Sequence, residues 1–213
     1  MYQDGESIFY YLTVHNENYL MEPMPAGCKE GVLKGMYKFR PAKAESKIKT
    51  KIHLFGSGSI LREALKAQTI LADKYGVAAD VWSVTSYKEL RREALEIERW
   101  NRLHPSQPQK KNYIEKLLEN ERGVFLAVSD NMKALPEFIQ RWVPGGITPL
   151  GTDGFGRSEN RVALRRFFEV DSEFIILTAL EQLARRGEIA VDKVEKAIKD
   201  LGIDPEKSDP VRV

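Results

Sequence analysis

The chain has 213 residues, of which 42% are hydrophobic and 30% charged, with a formal net charge of +2 and one cysteine. That length carries one good domain and a smaller appendage. The small net charge argues against a nucleic-acid partner, no apolar run of eighteen residues offers a membrane span, and a lone Cys28 rules out an internal disulfide and suits a reducing, cytoplasmic location. The opening residues hold Asp4 and Glu6 without a basic run, so no secretory leader is expected.

Ile8 to Val14 is apolar, aromatic and β-branched and predicts a buried strand. Nothing close by offers it neighbours, so the segment reads as the end of something larger. His15 to Lys34 is loop-like, with Pro23, Pro25 and Gly27. Lys34 to Arg40 alternates like a short strand, and Pro41 to Lys49 is a charged linker. From there strands and helices alternate. Lys51 to Phe55 predicts a strand, Gly56-Ser57-Gly58-Ser59 a turn, and Ile60 to Tyr75 a helix closed by Gly76. Ala79 to Val84 is a second strand, and Ser86 with Glu89 forms a capping box for a helix through Trp100. After a proline-containing loop, Tyr113 to Leu118 is a short helix, Gly123 to Val128 a strand, Leu135 to Val143 a helix and Ile147 to Gly151 a strand. Asn160 to Phe168, Ser172 to Arg186 and Asp192 to Leu201 close the chain as helices. This order predicts an α/β fold with a mainly parallel sheet covered by helices.

Two glycine-rich turns stand out. Leu150 to Ser158 packs three glycines, an Asp and a Ser between a strand and a helix. It is no nucleophile elbow and no phosphate-binding P-loop. The turn Gly56 to Ser59 sits where a dinucleotide fingerprint would sit, but Leu61 replaces its last glycine and Asp80 lies at the start of the second strand. Each turn has a plain reading, a helix cap by Ser57, Ser59 or Ser158 with Asp153 bonding turn amides. Each has a sharper one, an anion held by exposed amides at Gly56, Ser57, Gly58 and Ser59, or at Asp153, Gly154, Gly156, Arg157 and Ser158. Arg161 and Arg165 share a helix face, either a solvated one with local ion pairs or one aimed at an acidic partner. His104 before Pro105 reads as structural, while His15 follows a strand end, where sites of open sheets gather. The three histidines have no metal-ligand spacing. Asp153-Gly154 and Asn160 do not meet the Gly-Asp-Gly and paired-Asn spacing that holds a cofactor diphosphate through magnesium. The residues alone describe an α/β domain with an extra N-terminal strand, not catalytic by itself.

A set of segments resembles one family. They are Asn16-Glu17-Asn18-Tyr19, Leu54 to Leu61, Val84-Thr85-Ser86, Glu98 to Asn101 with Leu103-His104-Pro105, Leu150 to Ser158, Phe168 to Asp171 and Leu183 to Ile189. In order and spacing they look like the C-terminal part of the homodimeric type of pyruvate dehydrogenase, the thiamine-dependent decarboxylating component, which is built like transketolase. The resemblance implies that residues 1–45 are the last strand and exit segment of a pyrimidine-binding domain and 46–213 a transketolase-like C-terminal domain. Met1 then resembles an internal methionine of a longer chain.

The resemblance also implies a parent enzyme that decarboxylates pyruvate with thiamine diphosphate and magnesium and passes acetyl to lipoyl groups of an acyltransferase component. The family's metal ligands, activating Glu and histidines lie upstream, so no catalytic, cofactor or metal residue is expected here. His15 and Asn16 fall near the parent's active site, where transketolases carry a phosphate-gripping Arg that this chain lacks. The chain's own part would be structural, joining a dimer and the rest of the parent enzyme. A free-standing anion-binding module and one subunit of a split enzyme are the rivals.

Overall fold

The computed structural model describes residues 3–10, 12, 14, 17–42 and 50–212. Among these, five strands form one sheet: β1 (Met36–Arg40), β2 (Ile52–Gly56), β3 (Ala79–Val84), β4 (Val124–Val128) and β5 (Thr148–Leu150), in the order β1-β3-β2-β4-β5. β2 pairs in parallel with β3 (Ile52 opposite Ala79) and with β4 (Ile52 opposite Val124), and β4 in parallel with β5. β1 runs antiparallel to β3 along the edge, so the sheet is mainly parallel, as expected. Met36–Arg40 therefore belongs to the same sheet as β2, although it precedes position 46.

The helices are α1 (Lys29–Lys34), α2 (Leu61–Tyr75), α3 (Tyr87–Leu103), α4 (Tyr113–Leu117), α5 (Ala134–Glu137), α6 (Arg161–Phe167), α7 (Ser172–Arg185) and α8 (Val191–Asp200). Strand alternation sorts the core into two halves. Ile52, Leu54, Val81, Val124 and Leu126 face α2 and α7, with Leu71, Ile175, Ile176 and Leu183 packed on them. Phe55, Trp82, Phe125 and Ala127 face the other way, against Leu90, Ala94, Ile114, Ile139 and Trp142.

Four expectations change. The described residues of 8–14 form no strand; Phe9, Leu12 and Val14 are exposed, and among the described residues no strand pairs with them to take their backbone hydrogen bonds. The proline-rich loop before β1 ends in α1, closed by Gly35 in the left-handed conformation. The helix expected over 135–143 breaks into α5 and a 3-10 turn at Gln140–Trp142, with Pro136 inside α5 unable to donate a helical hydrogen bond. Only half of the expected capping box at Ser86 forms: Ser86 accepts from the Glu89 amide at 3.2 Å, while the Glu89 carboxylate pairs with Arg92. Residues 43–49, most of the expected linker, lie outside the described residues.

Candidate functional site

β2, β4 and β5 are parallel, so their carboxyl ends share one side of the sheet. The chain leaves β2 for β3 on one side and comes back to β4 on the other, which opens a crevice at the carboxyl ends of β2 and β4. A cleft of about 260 Å³ lies there, and both turns singled out above reach it: Ser59 and Ile60 from the first, Thr152, Gly154, Gly156 and Arg157 from the second, with Asp130, Arg161 and Arg165.

The glycines are explained by close approach. A side chain on Gly56 would stand 2.8 Å from the Leu61 Cα, and one on Gly151 would stand 2.5 Å from the Asn131 carbonyl oxygen. The second turn is pinned by Thr152, whose hydroxyl donates to the Asp130 carbonyl at 2.8 Å, and by Asp153, which accepts the Lys133 amide at 3.0 Å. The expected serine caps do not form. Neither Ser57 nor Ser59 caps a helix through its side chain, and α6 is capped by Asn160 rather than Ser158; Asn160 accepts from the Ala163 amide at 2.9 Å. The Ser59 hydroxyl instead faces Asp130 at 3.5 Å, so a carboxylate of the chain already stands before the first turn of the helix after β2. Ser57 Oγ is buried with no hydrogen-bond partner among the described residues. Burial pushes the neighbouring Tyr87 phenol well up from its ordinary value.

The arginines of the cleft are engaged by the segment that precedes the sheet. Arg165 bonds Glu63 at 3.0 Å and the Tyr19 hydroxyl at 3.0 Å. Tyr19 in turn donates to Glu17 at 2.7 Å, and Glu17 pairs with Arg161 at 3.2 Å. Arg62 donates to the Leu20 carbonyl at 2.5 Å and lies 5.2 Å from the centre of the Tyr19 ring. Glu63 also accepts the Ser172 amide at 3.1 Å, tying in the start of α7. The Arg161 and Arg165 pair makes ion pairs within the chain, as the plainer reading expected, but half-buried rather than on a solvated face; with Arg62 it clasps residues 17–20. Arg157 stands apart, 5.4 Å from the Phe167 ring centre. His15 and Asn16 lie outside the described residues.

A second polar cluster occupies the opposite, amino end of the sheet, and nothing in the sequence reading above pointed to it. His53, Asp80 and Glu121 bring ligand-type atoms within 4.8 Å of one another. Asp80 is 1% exposed and bonds Lys38 at 2.9 Å, Lys51 at 3.1 Å and the Ala42 amide at 2.8 Å. The fully buried His53 has Nε2 at 3.1 Å from the Arg122 carbonyl and takes the Trp82 indole N–H at 3.3 Å on Nδ1. Burial holds the imidazole below its ordinary pKa. Burial alone would raise Asp80, but hydrogen bonds from Lys38, the Ala42 amide and Lys51 outweigh it and hold the carboxyl low. Both imidazole nitrogens and the carboxylate are already satisfied, and two ammonium groups share the space. The donor set does not fit magnesium with a diphosphate. The signal that could have found the cluster was a His and an Asp at inward positions of two otherwise apolar strands.

Residues 35–171 match the family described as Transketolase-like TK C-terminal domain. The chain belongs to that family. It is 50% identical over 212 residues to the Pyruvate dehydrogenase E1 component of Pseudomonas aeruginosa, covering 99% of this chain and 24% of that protein. It is 45% identical over 206 residues to the component of the same name from Escherichia coli, covering 96% of this chain and 23% of that protein. The chain spans about a quarter of the length of the curated relatives it matches, and corresponds to their C-terminal portion. Among solved structures, transketolase from Leishmania mexicana superposes with a TM-score of 0.50 at 20% identity, over 77% of this chain and 20% of that one. A transketolase from Pichia stipitis gives 0.51 at 19% identity, over 75% and 19%. These two show a shared fold. No helix among the described residues is long and apolar enough to cross a membrane.

Proposed function

We propose that this chain is the C-terminal part of a pyruvate dehydrogenase E1 component acting in the cytoplasm. The whole enzyme would decarboxylate pyruvate with thiamine diphosphate and magnesium and pass the acetyl group to lipoyl groups of the acyltransferase component. Within it this chain would react with nothing itself; it would support the catalytic domains and join a homodimer. Residues 1 to about 45 would be the exit of the pyrimidine-binding domain, with Met36–Arg40 already laid along the C-terminal domain's sheet.

The observation that carries this reading is the clasp. In open α/β sheets the crevice at the switch point is where a ligand binds. Here its arginines hold Glu17, Glu63 and Tyr19, and Asp130 stands at the helix start. The turns Gly56 to Ser59 and Asp153 to Ser158 then act as packing turns that shape a grip on the preceding segment. A free-standing anion-binding module would leave those cations for its ligand.

Titration calorimetry with thiamine diphosphate and magnesium should give no heat assignable to a site on this chain, and its pyruvate decarboxylation should stay at background. Mixing it with the Pseudomonas aeruginosa relative cut short of the matching quarter should restore decarboxylation. Micromolar cofactor binding by the chain alone would contradict the proposal.

A further inference from the structure

On the face of the domain turned away from α2 and α7, a groove runs between α3 and α5. About 500 Å³ of it is lined by Lys88, Arg91, Leu95, Arg99, Leu135 and Phe138, together with Arg92 and Glu96. A second stretch, lined in part by the same Arg91, Leu95 and Phe138, continues it towards Gly145 and Gly146. The spacing 88, 91, 95, 99 along α3 puts these side chains on one stripe of the helix. Leu95 and Leu135 form an apolar floor, and Phe138 is 49% exposed beside it.

The cations of the stripe are left over from the chain's own ion pairing. Arg92 is satisfied by Glu89 and Glu96. Among the described residues Lys88, Arg91 and Arg99 form no ion pair, and the Arg91 guanidinium rests 5.4 Å from the Phe138 ring centre. Glu96, the carboxylate on the groove wall, is already held by Arg92. An apolar floor bordered by three cations that form no ion pair among the described residues complements a segment carrying carboxylates next to a bulky apolar side chain. A nucleic-acid backbone would use the cations and leave the floor idle, and the chain's net charge of +2 adds little long-range attraction for one.

We infer that the groove between α3 and α5 is a docking site for an acidic, apolar-bearing protein segment, with Lys88, Arg91 and Arg99 meeting its carboxylates and Leu95, Leu135 and Phe138 seating its apolar side chain. The site lies apart from the carboxyl-end clasp and does not depend on it.

The test uses the full chain and a fluorescein-labelled synthetic peptide with glutamates on one helical face and leucine and phenylalanine on the other. Fluorescence anisotropy should report saturable binding that weakens as salt rises. The double variant Arg91→Glu with Arg99→Glu should weaken binding by about tenfold or more, roughly 1.4 kcal/mol, and Phe138→Ser should weaken it while leaving the salt dependence in place. All three positions are exposed, so each variant should fold, which circular dichroism checks. No binding, binding indifferent to the Arg91 and Arg99 reversal, or equal displacement by single-stranded DNA of matched charge would overturn the inference.

Discussion

His53 stacks on Phe125 with ring centres 4.4 Å apart, while its nitrogens meet the Trp82 indole and the Arg122 carbonyl. Burial holds it below the ordinary imidazole pKa, so the unfolded chain takes up a proton here before the folded one does. The stability due to neutral His53 is complete above about pH 6.5 and is lost as pH falls through the window below it. Asp80 is held low, so its contribution persists above about pH 4 and is lost only as pH falls through its lowered value. Urea midpoints measured from pH 7.5 to 4.5 should therefore decline in the wild type. In His53→Phe, which keeps the stack on Phe125, the midpoint should start lower but show a flatter pH dependence. An unchanged slope would remove His53 as the cause. Gly123 is a steric counterpart at the same end of the sheet. Its φ is +142° and a Cβ there would stand 2.0 Å from the Lys51 carbonyl oxygen. Gly123→Ala should cost about 2–4 kcal/mol in chemical denaturation, and a loss under about 0.5 kcal/mol would show that the β2–β4 entrance relaxes freely.

The strands and long helices of the sheet domain were legible because their local signals agree with their burial. Ala79 to Val84 is apolar or inward-facing throughout, and Gly76 closes α2 with φ +65°. Asn112 went unnoticed as a cap although it forms a full capping box with Glu115: it accepts the Glu115 amide at 3.0 Å, and its own amide is taken at 2.9 Å. Asn112→Ala should cost about 1–2 kcal/mol, more than Ser86→Ala, whose box is half made; the reverse order in thermal melts would contradict this reading. The strand expected at 8–14 failed because residue type alone cannot supply a partner strand. The carboxyl-end cleft was half legible. Both glycine turns were visible as turns, but the groups that hold the cleft's arginines, Glu17, Tyr19 and Glu63, come from distant positions, and nothing in their residue types pairs them with Arg161 and Arg165. The amino-end cluster was harder still, since Lys38, Lys51, His53, Asp80 and Glu121 meet only through the register of β1, β2 and β3 and the turn before β4.

At the scale of the molecule, the domain carries a long apolar approach. Phe9, Leu12, Val14, Leu20 and Met21 are between 79% and 89% exposed. Apolar surface of that extent is covered in most proteins, and light scattering at micromolar concentration should show self-association of the isolated chain. A clean monomer that leaves Phe9 and Leu12 in water would argue against it. The account rests on the grip of the sheet domain on residues 17–20. A double-mutant cycle pairing Tyr19→Ala with Arg165→Met, read by urea denaturation, tests that grip directly, because the Arg165–Glu63 bond cancels in the coupling term. The clasp predicts a coupling of about 0.5–1.5 kcal/mol between the two positions. Effects that add to within about 0.3 kcal/mol would mean that residues 17–20 do not grip Arg165, and that the cleft's arginines serve something else.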